Sequence, residues 1–226
     1  MNAFDHPWGR CAVNYRLLVP EPWNVRTPLQ LTRTIEVVEY DPAWEMAFTQ
    51  EVGKLLDVFG ESLMAIHHIG STSIPGLSAK PVIDILVVLR ETETIDRFSA
   101  AMRGLGYRVR GECLDAEIPG TPGRFYFTKD DPERRTHHVH VYAVDHPEIV
   151  DKLAFRDYLR THPQRAAQYG AIKRHLAVEH RHDNIGYMRG KDAYIKSVLD
   201  EARHWLSRAP SGVFVRIIGW HITMWA

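Results

Sequence analysis

The chain has 226 residues, of which 45% are hydrophobic and 25% charged, the balance of an ordinary folded protein rather than a disordered or fibrous one. Its 28 basic and 28 acidic residues cancel to a formal net charge of zero. That argues against a broad surface for long nucleic acid, while leaving room for a local basic cleft.

Residues 1–33 are rich in Pro and Trp and show no sustained period, so they read as an irregular arm. TIEVVEY (34–40) alternates and predicts a strand. Asp41-Pro42 then reads as an N-cap with proline at the first helical position. The helix carries Trp44, Phe48, Val52, Leu55, Leu56 and Phe59 on one face and stops at Gly60. LMAIHHIG predicts a short strand, followed by a loop of small residues and a strand over 81–89. ETIDRFSAAMRGLGY (93–107) reads as an amphipathic helix closed by Gly106. RFYFTK (124–129) and THHVHVYAV (136–144) predict an antiparallel pair across a polar turn. From Pro147 the periods are helical, over 147–161, 163–180 and 184–206. The apolar segment after Arg208 reads as a pairing strand or an irregular extension. Strands first and helices afterwards predict an α+β domain over 34–207, with an arm at 1–33 and a tail at 208–226. Cys11 and Cys113 form neither a short metal-binding pair nor a disulfide framework, which fits a reducing, cytoplasmic setting. No stretch has the length of a membrane span and no signal sequence is visible, so no membrane role is expected.

The run HHIGSTSIPGLSAKPVIDILVVL (67–89) raises a chemical question, because it places Asp84 in an apolar strand. A carboxylate there is costly unless it is hydrogen-bonded, paired with a cation or bound to a metal. Gly70, Ser71, Thr72 and Ser73 precede it in a loop whose backbone N–H groups and hydroxyls suit a phosphate, with Lys80 as a point charge. The same loop would also serve as a plain tight turn, and it lacks the Gly-Lys-Ser/Thr ending of a P-loop. In THHVHVY, His138 and His140 share a strand face, a pair able to chelate a metal. As neutral imidazoles they suit Zn²⁺ or Mn²⁺ better than Mg²⁺. Arg156 and Lys173 are candidates for an anion clamp, with Lys191 behind them; a solvated helix face is the alternative.

Together VVEYDPAW (37–44), the run 67–87, GYRVRGE (106–112), HHVHV (137–141), LAFRDYLRTHP (153–163), Tyr169 with Lys173, and YMRGKDAYI (187–195) resemble the GrpB family. These are small bacterial proteins with the nucleotidyltransferase, polymerase-β-like fold. The resemblance implies a mixed β-sheet flanked by helices, with a helical C-terminal part. It also implies a Gly-Ser turn that contacts the nucleotide phosphates, matched by Gly70 and Ser71. A first metal-binding acid follows in that fold, matched by Asp84; the second, two positions on, is missing because residue 86 is Leu. Asp115, Glu117 and Asp130 are nearby in sequence, but none is securely a third acid.

The expectation that follows is a Mg²⁺- or Mn²⁺-dependent transferase moving a nucleotidyl or phosphoryl group from a nucleotide to a small-molecule acceptor. In it Asp84 and Lys80 act in catalysis, Asp84, His138 and His140 hold the metal, and Gly70, Ser71, Thr72, Ser73, Arg156 and Lys173 hold phosphate. Two alternatives stay open: a phospho-ligand binding module without turnover, favoured by Leu86, and a different metal-assisted enzyme built on His138 and His140.

Overall fold

The strand Ile83–Leu89 (β2) is apolar at nearly every position because both of its faces are covered. It pairs antiparallel with β1 (Leu63–Ile69) on one side and parallel with β5 (Arg135–Ala143) on the other. β5 pairs antiparallel with β4 (Phe125–Asp130), which pairs antiparallel with the short β3 (Tyr107–Val109). The mixed sheet therefore runs β1-β2-β5-β4-β3. The computed structural model describes residues 34–92, 95–112, 122–132 and 134–208. The expected arm at 1–33 and the tail beyond Arg208 lie outside the described residues.

Strand alternation sorts the core into two layers. Ile83, Ile85, Val87, Leu89, Val139 and Val141 point towards α1 (Ala43–Phe59) and α2 (Ser99–Gly104), meeting Leu55, Phe59 and Met102. Leu86, Val88 and Tyr142 point the other way, towards α3 (Pro147–Thr161), α4 (Pro163–Glu179) and α5 (Asn184–Ser207). There they meet Leu153, Tyr158, Tyr169 and Val198. Asp84, His138 and His140 belong by parity to this second layer and are partly buried.

The expected α+β class, the antiparallel pair β4–β5 and the three C-terminal helices are all present. Four local expectations need correction. Residues 34–40 form no strand: Val38 and Ala79 make one isolated bridge, while Ile35 is bonded to the Arg181 carbonyl and packs with Leu176 and Tyr187. The two ends of that segment serve different elements, so it cannot run beside a single partner. The helix after it begins one residue later than expected, at Ala43, whose N–H is accepted by the Asp41 carboxylate at 2.9 Å. Its buried stripe is Trp44, Glu51, Leu55 and Phe59, while Leu56 is 45% exposed. Glu51 takes a core position because Lys129, Lys54 and the Tyr107 hydroxyl all donate to it. Finally, the helix expected over 93–107 is a 3₁₀ turn at Ile95–Phe98 and a six-residue helix at Ser99–Gly104. Gly106, at φ 84°, then turns the chain into β3, which the sequence reading missed.

Candidate functional site

β1 and β2 place the Gly-Ser turn and Asp84 side by side, since Ile69, the last residue of β1, pairs with Asp84. Gly70 has φ 68°, and a Cβ added there would lie 2.9 Å from both Cβ and Cγ of Asp84, with the carboxylate oxygen closer still. The glycine is thus required twice, by its backbone angle and by the carboxylate packed against it. The turn is held from within. Ser73 donates to the Gly70 carbonyl at 2.6 Å, and Thr72 donates to the Val82 carbonyl at 3.1 Å. Because the Thr72 hydrogen is committed, the His68 Nε2 contact at 3.0 Å requires that nitrogen to carry its own hydrogen and donate. Arg160 braces the turn from α3, donating Nε and Nη2 to the Ser73 carbonyl at 3.0 and 2.8 Å. Of the three loop hydroxyls, Thr72 and Ser73 are occupied by the fold, and Ser71 is left facing the Tyr169 phenol.

His138 donates Nδ1 to Asp84 Oδ1 at 2.9 Å, and His140 brings Nε2 to 3.7 Å from the same oxygen. One ligand atom from each of the three residues lies within 4.8 Å of the others. Burial pushes the Asp84 carboxyl up, but the His138 hydrogen bond and the nearby His140 imidazole outweigh it and hold the group well below the usual carboxylate range. Burial pushes His140 down to about 4, so it is a neutral imidazole at pH 7. Its Nδ1 is buried without a partner among the described residues. The missing second acid has a structural counterpart, because Leu86 is fully buried and its partner across the β2–β5 ladder is His140. An imidazole on the next strand therefore lies beside the position where the second acid was expected. Two imidazoles and one carboxylate are a donor set for a divalent transition metal such as Mn²⁺ or Zn²⁺, and a poor one for Mg²⁺, which prefers oxygen.

Lys80, Lys173 and Lys191 gather around the same carboxylate, whose charge is felt at each of them. Lys173 is only 2% exposed, and its Nζ lies over the Tyr169 ring, 4.5 Å from the centroid, with no hydrogen-bond partner. Lys191 and Lys80 stand 4.5 and 5.3 Å from the Tyr187 ring centroid. None of the three forms an ion pair among the described residues. Burial, reinforced by the neighbouring lysines, pushes Lys173 down to about 6 and Lys191 down to about 8; burial lowers Lys80 as well. Tyr187 and Tyr169 support these ammonium groups; in the sequence Tyr169 and the run 187–195 carried the family resemblance, without a role at the site.

Arg156 is placed differently from the other expected site residues. It donates Nε and Nη2 to Asp157 at 2.6 and 2.9 Å and Nη1 to the His68 carbonyl at 3.1 Å. It lines a cavity of ≈ 300 Å³ with Phe48, His67, His68, Thr72 and Arg160. Asp130 is bound to Arg135, while Asp115 and Glu117 lie outside the described residues.

Residues 34–201 match the family model described as GrpB protein. The UPF0157 protein YqkA of Bacillus subtilis is 42% identical over 173 residues, covering 76% of this chain and 48% of that protein. The UPF0157 protein PA4798 of Pseudomonas aeruginosa is 38% identical over 171 residues, covering 74% and 67%. The chain thus spans about half the length of the first of these relatives and two thirds of the second. The crystal structure of the conserved protein GrpB from Enterococcus faecalis superposes with a TM-score of 0.68 at 42% identity, covering 75% of this chain and 99% of that one. The chain belongs to the GrpB family.

Proposed function

We propose that this chain binds a nucleotide through its phosphates, together with a divalent cation at Asp84, His138 and His140, and transfers a nucleotidyl or phosphoryl group to a small-molecule acceptor. One observation carries the reading: the Gly70–Ser71 turn lies against the very carboxylate that two histidines approach and whose charge is felt by three lysines without an ion pair among the described residues. A cation held by these three residues supplies neutralising charge to phosphoryl oxygens. Asp84 contributes a carboxylate that stays ionised across the physiological range, and His140 a neutral nitrogen donor. The Ser71 hydroxyl and the N–H groups of the turn donate to phosphate oxygens. Lys80, Lys173 and Lys191 match a polyphosphate in charge, and a bound polyanion restores the proton that burial removes from Lys173. Phosphoryl transfer depends mainly on such positioning and charge, so this constellation suits it.

The fully buried Leu86 favours a second reading, in which a single cation and nucleotide are bound without turnover. Isothermal titration of ATP, GTP, CTP and UTP with Mn²⁺, against wild type and Asp84→Asn, tests the binding common to both. Binding of one nucleotide that requires the cation and disappears in the variant supports it. Equal binding by the variant overturns the site. Release of pyrophosphate, for nucleotidyl transfer, or of the nucleoside diphosphate, for phosphoryl transfer, during an acceptor screen separates the transferase from the binder.

A further inference from the structure

A second basic group lies on the opposite side of the two histidines. In the register of β3, β4 and β5, Arg108 pairs with Thr128, Thr128 with His138, and Tyr126 with His140, so all share the face of Asp84. Arg110 follows β3 and donates Nε to Thr128 Oγ1 at 3.2 Å. Arg124 precedes β4 and lies over the Tyr126 ring, 5.3 Å from its centroid. That ring in turn stands 5.5 Å from His138 and 5.1 Å from His140. Arg135 brings Nη1 to 3.3 Å from His138 Nε2. Four guanidinium groups thus converge beside the histidines. The carboxylate at ion-pair distance from them, among the described residues, is Asp130, shared by Arg108 and Arg135. Arg110 and Arg124 have no ion pair there, and Arg110 Nη2 and Arg124 Nε are buried without an acceptor.

We infer that Arg110 and Arg124, with Tyr126 beneath Arg124, form a second anion site, which takes a small molecule bearing a carboxylate or phosphate. Guanidinium forks suit the paired oxygens of either group, whereas the lysines on the other side act as point charges. The two basic groups straddle the Asp84, His138 and His140 cluster: the lysines reach it from the turn after β1 and from α4 and α5, the arginines from β3 and β4. An in-line displacement brings the acceptor in opposite the leaving group. The arginine side is therefore the acceptor side, and the acceptor is an oxyanion; this role rests on the function proposed above, while the anion site itself does not.

The test uses the full chain labelled with nitrogen-15, with tripolyphosphate present to fill the lysine side. Inorganic phosphate and succinate are titrated separately while the arginine Nε–H resonances are followed. The expected result is movement of the Arg110 and Arg124 signals with at least one of the two anions, the stronger binder identifying phosphate or carboxylate as the group recognised. Affinity should fall at least tenfold in Arg124→Gln and in Arg110→Gln, and stay within twofold in Lys191→Gln. Because the wild-type resonances report directly, a variant that fails to fold does not spoil the test. Unmoved arginine signals with both anions, or phosphate fully displaced by tripolyphosphate, overturn the proposal. If tripolyphosphate fails to bind while the arginine signals still respond, the anion site stands and the nucleotide reading falls.

Discussion

Replacing Lys173 with Met should make the protein more stable and less able to hold a polyanion. The ammonium is 2% exposed, has no acceptor among the described residues, and faces Lys191 and Arg174, which repel it, with Asp84 the opposing charge. Burial first, then these neighbours, bring it to about 6 from the ordinary 10.5. Between those values the unfolded chain holds a proton that the folded chain has released, so wild-type stability rises with pH across this window. At 1.36 kcal/mol per tenfold change in proton binding, the cost of Lys173 is at most about 6 kcal/mol at pH 6 and about 2 kcal/mol at pH 9. Water entry and local relaxation relieve part of this, so a gain of about 1–4 kcal/mol at pH 6 is expected. Methionine fills much of the same volume and keeps helix α4 intact. The assay is urea unfolding of both proteins at pH 6 and pH 9, with and without tripolyphosphate. The gain should be larger at pH 6, and stabilisation by tripolyphosphate should shrink in the variant. A variant no more stable than wild type, or an equal gain at both pH values, would refute the argument by showing that Lys173 already has its counter-charge.

Three further outcomes follow from the same structure. Gly70→Ala should cost about 1–3 kcal/mol in unfolding and weaken Mn²⁺ binding at least tenfold, because the new methyl group meets both a positive φ and the Asp84 carboxylate; unchanged Mn²⁺ affinity would separate the turn from the site. Glu51→Gln should cost about 3 kcal/mol at pH 7, measured by urea unfolding. Burial raises the Glu51 carboxyl, but Lys129, Lys54 and Tyr107 outweigh it and bring it to about 2 from 4.5. Its contribution is therefore present above pH 4.5 and lost as pH falls towards 2, so the difference between the two proteins should shrink to about 1 kcal/mol at pH 3 and nearly close at pH 2. Thr72→Val leaves the Val82 carbonyl and the His68 Nε2–H without their partner, and should cost about 1–3 kcal/mol, seen as a lower Tm.

The parts of the fold that were legible in the sequence are those with a long, clean period. Helices α3, α4 and α5 repeat for four turns or more, and His162-Pro163 and Asp183 mark their junctions by preventing or capping a helix. β3 was missed because three residues carry too little alternation to register. Residues 34–40 alternate well enough to read as a strand, yet their partners belong to different elements, which only the tertiary structure reveals. At the site, Asp84 was legible as a polar residue in an apolar strand and His138 and His140 as a same-face pair. Their meeting depends on the parallel β2–β5 register, which no local pattern encodes. Arg156 was expected at the phosphates on charge alone; its bond to the His68 carbonyl depends on the packing of α3 against β1, which no local pattern encodes. Arg110 and Arg124 sit in stretches where arginine reads as surface charge, so nothing in the sequence distinguishes their buried, unpaired nitrogens.

The most direct measurement is electron paramagnetic resonance of Mn²⁺ bound to nitrogen-15-labelled protein, reading the number of imidazole nitrogens coupled to the metal. Two coupled nitrogens are expected in wild type, one in His140→Ala, and loss of the bound signal in Asp84→Asn. A bound Mn²⁺ with no imidazole coupling, or one that survives Asp84→Asn unchanged, would contradict the assignment of Asp84, His138 and His140 as the centre of the site.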